Sequence, residues 1–282
     1  MPRIWQRSGA RVLGSDQAAV VQAALEADPV AGCMIAERFE TYGIDPRALG
    51  GNFWGVDGGR EALAFVGGNL LPLAATGPEA LRRLAEGLAH RSRTVASLVG
   101  RSALVLPLWE DLGSAWGPAR EVRTVQPLLT CPRPPLVDPD LRLRRMTAQL
   151  GDHYFPAAVA MFTEEVGIDP RAGDGGRSYR ARVDDLIRRG LAFAVLDGAE
   201  VIFKAEIGAL SSRVALIQGV WMAPVHRGRG LAAAAVAALV QHIQRDLHRL
   251  PSLYVNERNV TARRVYERVG FQQAGQFSSV LF

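Results

Sequence analysis

A chain of 282 residues, 48% hydrophobic and 22% charged, holds enough apolar surface for two cores of ordinary domain size, which excludes a disordered chain. It has no apolar run of 18 residues; the longest weakly polar run, 231–240, is mostly alanine and too short to cross a bilayer. The net charge of +5, mild and carried by arginine apart from the single lysine Lys204, suits a polyphosphate ligand but does not ask for nucleic acid.

In the first half, helices are expected near 16–27, 31–42 and 78–91, and strands near 53–56, 62–66, 95–99 and 122–128. Trp54, Trp109 and Trp116 are read as core or interface aromatics. The stretch Cys131-Pro132-Arg133-Pro134-Pro135 can be neither helix nor central strand, because proline fixes φ and removes a donor. It marks a linker at 133–140, between an N-terminal α/β domain over 1–132 and a second domain over 141–282. The second domain reads as strand 141–146, helix 147–166, a glycine loop at 173–176, helix 178–189, strands 191–196, 201–210 and 214–222, helix 231–248, strand 252–255, helix 260–269 and strand 276–282. The fold class is α/β (α+β), a mixed, mostly antiparallel sheet flanked by helices. The first half loosely echoes this order, and a degenerate internal repeat stays open beside an unrelated α/β unit.

The sharpest signal is Val220-Trp221-Met222-Ala223-Pro224-Val225-His226-Arg227-Gly228-Arg229-Gly230-Leu231-Ala232. It runs strand, proline-stopped loop, glycine turn, helix. Gly228 and Gly230 let the backbone approach a ligand. A helix opening at Leu231 leaves its first N–H groups unpaired, and these with the macrodipole favour an anion. Arg227 and Arg229 add charge at the mouth. The alternative is an arginine-rich surface loop. The second signal is Asn256-Glu257-Arg258-Asn259-Val260-Thr261-Ala262-Arg263-Arg264-Val265-Tyr266-Glu267-Arg268-Val269-Gly270-Phe271. Asn259 caps a helix, and Tyr266, seven residues on, lies two turns along the same face. Taken alone, that tyrosine reads as core and that asparagine as a cap.

The Arg227-x-x-Gly230-x-Ala232 turn resembles the pyrophosphate-binding motif of the GNAT N-acetyltransferase superfamily. The 256–271 segment resembles that family's Asn-x-x-Ala-x-x-x-Tyr-Glu-x-x-Gly-Phe segment. The resemblance covers about half the chain, from residue 141 on, and is to a two-part bacterial type with an N-terminal domain of unknown function. It implies acetyl-CoA as co-substrate, with no metal. It implies that Arg227, Gly228, Arg229, Gly230, Leu231 and Ala232 hold the diphosphate, that the strand through Val220, Trp221 and Met222 faces the pantetheine arm, that Asn259 contacts that arm, and that Tyr266 protonates the departing thiolate. The residues after Phe271 leave room for one long strand or a cramped hairpin where many members have two strands. Completion of the sheet is therefore expected from the N-terminal domain or another subunit, a homodimer being one arrangement.

An amine acceptor needs a group to take its proton. Glu206 is the candidate base: it shares a strand face with Lys204, opposite Phe203, Ala205 and Ile207. The alternative is a Lys–Glu salt bridge or a solvated pair. Gln218 is a polar neighbour in the next strand, and His153, Tyr154 and the 173–176 loop fall on the acceptor side. His226, beside the turn, suits anions better than catalysis. The N-terminal domain is expected to shape or pack, not to catalyse. Met1-Pro2-Arg3-Ile4-Trp5 lacks a signal-peptide core, so a cytoplasmic location without membrane partners is expected. Cys33 and Cys131 form no CxxC pair, which argues against structural zinc and, in a reducing compartment, against a disulfide. The resulting expectation is an acetyl-CoA-dependent N-acetyltransferase acting on a primary amine by direct attack. A non-catalytic acyl-CoA-binding module is the alternative. A nucleic-acid binder is a third reading, against which stands the lack of an aromatic-interleaved basic stripe.

Overall fold

The computed structural model describes residues 9–282. Its elements are β1 (Arg11–Val12), α1 (Ala18–Ala27), α2 (Pro29–Tyr42), α3 (Pro46–Leu49), β2 (Asn52–Val56), β3 (Ala62–Val66), β4 (Asn69–Ala75), α4 (Pro78–Ala89), β5 (Ser97–Arg101), α5 (Ser102–Trp116), β6 (Glu121–Thr130), β7 (Arg144–Arg145), α6 (Gly151–Val166), α7 (Arg177–Arg188), β8 (Ala192–Asp197), β9 (Glu200–Leu210), β10 (Val214–Met222), α8 (Leu231–Arg245), β11 (Leu250–Tyr254), α9 (Val260–Val269) and β12 (Gln272–Leu281). Apart from the short α3, the order β-α-α-β-β-β-α-β-α-β occurs twice. The chain divides into two compact units. One takes residues up to Leu128 with Tyr254–Arg258 and Gln273–Phe282; the other takes Leu129–Leu253 and Asn259–Gln272. The stretch 133–140, read as a linker, thus falls inside the second unit.

The first unit's strands run in the order β1-β2-β3-β4-β5-β12-β6. One hydrophobic cluster joins Leu84 and Leu88 of α4 to Leu108 and Leu112 of α5 beneath Trp54. Another joins Val21 of α1 and Ile35 of α2 to Phe53. Phe53 and Trp54 are adjacent on β2, so the two clusters occupy opposite faces of the sheet. Trp109 and Trp116 pack on Phe282, with ring centroids 5.5 and 6.0 Å away.

The second unit's strands run β11-β10-β9-β8-β7. On one face Phe193, which pairs with Ala205, packs at a tilt against His242 of α8. The α8 stripe of Val236, Leu239, Val240 and Ile243 is buried there. On the other face α6 and α7 pack on β9. Beside β11 run Leu129 and Cys131: Ser252 Oγ donates to the Leu129 carbonyl at 3.2 Å and Cys131 N to the Pro251 carbonyl at 3.0 Å. Each unit therefore takes in chain from outside its own half of the sequence. The ten-residue β12 pairs antiparallel with β5 in the first unit, a single strand and no hairpin.

What positions a site is the parallel pair β10–β11. It is in register only at Val214–Leu216 with Leu250–Ser252, whereas β10 continues to Met222. Past Leu216 the strands part and leave a wedge. The corresponding pair β4–β5 in the first unit also holds register for only two residues, Asn69 and Leu70.

Several boundaries differ from expectation for local reasons. β4 escapes a sequence reading because Pro72 stands in it, and proline normally demotes a strand. α5 escapes it because Pro107 lies within the helix. α8 ends at Arg245, three residues short of the expected 248, with His248 at φ 54. The strand expected at 141–146 pairs only at Arg144 and Arg145. β11 begins at Leu250, two residues before the expected 252, and includes Pro251.

Candidate active site

The loop from β10 to α8 is tied down by its own backbone. Ala223 N donates to the Ile202 carbonyl at 2.8 Å, and residues 224–226 form a single 3-10 turn. Arg227 Nε donates to the Met222 carbonyl at 3.0 Å. Gly228 and Gly230 take φ of +75° and +77°, the left-handed region that costs other residues about 1–2 kcal/mol. Nothing stands within 4 Å of where a Gly228 Cβ would be. Gly230 is the N-cap of α8 and brings no side chain to it, and the first turn carries no acidic residue. α2 and α9 differ: Asp28 and Asn259 accept from the amides of Ala31 and Ala262. The α8 amides lack such a cap, which is the state of a helix end open to an anion. Arg229 is exposed. Arg268 of α9 brings Nη1 to 3.6 Å from the Gly230 Cβ position. Sequence reading missed that cation, because nothing in the spacing from 230 to 268 says that α9 turns this face toward the loop.

Beside this loop β10 carries a bulge. Gln218 pairs with Glu206 and Trp221 with Lys204, so Gly219 and Val220 together stand opposite the single Ala205, one residue more than the partner strand. Gly219 has φ +59°, and a Cβ there would lie 3.0 Å from Lys204 Nζ and 3.1 Å from Glu206 Oε2. Lys204 and Glu206 are 0% and 3% exposed. Lys204 Nζ donates to Glu206 Oε1 at 2.6 Å, Tyr154 OH to the same oxygen at 3.2 Å, and Gln218 Nε2 to Oε2 at 3.4 Å. A Cβ on Gly208 would overlap the Gln218 side chain, so two glycines make room for this cluster. Burial pushes the Glu206 carboxyl up, but the Lys204 ammonium and its hydrogen bond outweigh that, and the net shift is downward. Burial lowers Lys204 and raises Tyr154. Glu206 is thus an anion fixed in an ion pair under the bulge, the salt-bridge alternative that the sequence left open.

On α9, Asn259 caps the helix through its side-chain oxygen and Gly270 closes it at φ +107°. Tyr266 is buried, with its ring 5.7 Å from Phe271. Burial raises its phenol well above the ordinary value, and the charge of Glu165 adds to this. Glu164, next to it at the end of α6, has other partners. Its Oε2 accepts from Trp221 Nε1 at 3.1 Å and from Arg227 Nη2 at 2.7 Å. The end of α6 thus touches β10 and the glycine turn through one carboxylate and acts on Tyr266 through the other. Of the residues singled out in the sequence, Val220, Trp221, Met222 and Arg227 to Ala232 are contiguous along the bulge and turn, while Asn259 and Tyr266 belong to α9. His153 is exposed, and Tyr154 is the buried partner of Glu206. Among the described residues no cluster of His, Cys, Asp and Glu has a metal-site arrangement. Among them, too, no helix is long and apolar enough to cross a membrane.

Residues 203–279 match the family model described as FR47-like protein, and residues 51–154 match a domain of unknown function, DUF4081. A GNAT-family acetyltransferase from Colwellia psychrerythraea shares the fold at 14% identity, over 97% of this chain and 99% of that one, with a TM-score of 0.57. A Drosophila protein does so at 12% identity over 98% and 99%, with a TM-score of 0.63. A GCN5-related N-acetyltransferase-like protein from Streptococcus suis does so at 14% identity over 95% and 100%, with a TM-score of 0.50. At these identities the likeness is one of fold, and it spans both halves. No curated protein matches the chain significantly.

Proposed function

We propose that this chain, a GNAT-superfamily acyltransferase with an FR47-like domain preceded by a DUF4081 segment, transfers the acetyl group of acetyl-CoA to a primary amine on a small molecule, peptide or protein N-terminus. The observation that carries the reading is the uncapped N-terminus of α8, which follows two left-handed glycines at the mouth of a parting strand pair. Such an end accommodates an anion, and the diphosphate of acyl-CoA is one. With the diphosphate there, the pantetheine arm runs along Val220, Trp221 and Met222 in the wedge, near the Asn259 end of α9.

In this reading the chemistry needs no metal. An N–H of the bulge polarises the thioester carbonyl. The neutral amine attacks that carbon, the C–S bond breaks, and Tyr266 gives its proton to the leaving thiolate, a role its raised pKa leaves it able to fill at neutral pH. The amine's proton passes to solvent, and solvent returns one to the Tyr266 phenolate. Glu206, held below the ordinary carboxylate range, is a poor resting place for that proton. Paired with Lys204, it holds the bulge from beneath.

The test is release of CoA thiol from acetyl-CoA and longer acyl-CoAs across a panel of primary amines, with Tyr266→Phe as control. Amine-dependent release that falls in the variant supports the enzyme. Acetyl-CoA binding with no release from any amine supports instead a non-catalytic acyl-CoA-binding module.

A further inference from the structure

Glu164 is occupied in a way that the proposed reaction does not use. It sits on the last turn of α6, and one of its oxygens holds both Trp221 Nε1 and Arg227 Nη2, two residues assigned above to the acyl-CoA side. Hydrogen bonding from Arg227 keeps its carboxyl below the ordinary value, so it is an anion at neutral pH. The ion pair is exposed, 44% on Arg227 and 53% on Glu164, and exposed pairs contribute little to stability. A diphosphate carries more charge than a carboxylate and can make the same bidentate fit to guanidinium.

Glu164 also closes one end of a second feature. A concavity of about 520 Å³ beside α6 is lined by Phe155, Pro156, Val159, Ala160, Thr163 and Glu164, which spacings of three and four put on one helix face, and by Asp169 and Arg171 beyond the helix. Its α6 wall is mostly apolar up to the Glu164 carboxylate, and the ion-paired Asp169 and Arg171 add a charged wall.

We propose that Glu164 stands in for the cofactor diphosphate in the empty protein, is displaced from Arg227 when acyl-CoA binds, and then pairs with the ammonium of an acceptor amine whose apolar substituent lies along α6. The inference rests on the acyl-CoA reading above. It makes binding ordered, acyl-CoA before amine, and it makes the acceptor a monocation with an apolar tail.

The test titrates coenzyme A into the full chain, wild type and Glu164→Gln, by calorimetry and tryptophan fluorescence, with Trp221→Phe to isolate the Trp221 signal. If Glu164 competes with the diphosphate, Glu164→Gln binds coenzyme A about tenfold more tightly. The wild-type Trp221 signal shifts on binding, and the shift disappears in Trp221→Phe. If Glu164 only buttresses Arg227, the variant binds no better or more weakly, and the proposal fails. A second titration uses 2-phenylethylamine as the amine probe. The wild type should bind it at least tenfold more tightly with coenzyme A present than without, and Glu164→Gln should lose that difference. Equal affinity in both conditions, or no binding, overturns the acceptor assignment. A wild type that binds no coenzyme A defeats the acyl-CoA reading itself, whereas binding that Glu164→Gln fails to tighten defeats only this inference. Thermal unfolding of both variants confirms that they fold.

Discussion

Tyr266 lies seven residues beyond the Asn259 cap, where a helix returns to the same face. Its phenol is buried and shifted upward by burial and by Glu165, which keeps it protonated wherever an acyltransferase would work. Removing only its oxygen should therefore remove a proton donor and little else. Tyr266→Phe is expected to lower kcat about 10- to 1000-fold with little change in acetyl-CoA affinity, as steady-state kinetics would show. An unchanged kcat would reject the role. The same shift fixes a pH effect. A phenol whose folded pKa is raised stabilises the native state fully below its unfolded value of about 10, and that stability is lost as pH climbs through the folded value. Tyr154 shifts the same way. Thermal midpoints should accordingly hold level from about pH 7 to 9 and drop above about pH 10, and any alkaline loss of rate below pH 10 must come from a group other than Tyr266.

At the scale of elements, the β10 bulge is held from beneath by a buried ion pair. Such a pair is an uneconomical way to stabilise a fold, because desolvation offsets most of the attraction. Breaking it singly by Glu206→Leu should cost about 3–5 kcal/mol, since it strands the Lys204 ammonium. Replacing both members, Lys204→Met with Glu206→Leu, should restore stability to about the wild-type value. If the pair serves the bulge and its charge, kcat stays at least about tenfold low in the stable double variant. Full recovery of both denaturation midpoint and kcat would make the pair purely structural. This is also the scale at which the sequence was most unevenly legible. The turn at Arg227–Ala232 and the α9 helix could be read because glycines and a cap punctuate them locally. The strand β4 and the helix α5 could not, because Pro72 and Pro107 carry the opposite local signal and tertiary packing overrides it. The Glu164–Arg227 contact spans 63 positions, and no periodicity connects its ends. The Lys204–Glu206 face was visible, but only the hydrogen bonds from Tyr154 and Gln218 showed that the pair is closed.

At the scale of the whole chain, the same element order occurs twice, yet the arginine-flanked glycine turn and the buried helix tyrosine stand in the second occurrence. In the first unit the turn corresponding to the glycine loop is Thr76-Gly77-Pro78, and Glu79 stands in the first turn of α4. That turn has no arginine, and the Glu79 carboxylate at the helix end is taken up by Arg82 at 2.6 Å. Seven residues past the N-cap of α5 stands the buried Leu108, where α9 has Tyr266. The first unit should therefore bind no acyl-CoA, and calorimetry should return one site per chain. Two sites would show that the first half kept a cofactor cleft.

Amide hydrogen exchange with and without coenzyme A decides whether the opening amides of α8 hold a diphosphate. Slowed exchange is expected to concentrate at residues 228–233, with weaker protection along 219–222 and none at 76–81. Exchange unchanged at 228–233 while coenzyme A is demonstrably bound would contradict the diphosphate reading.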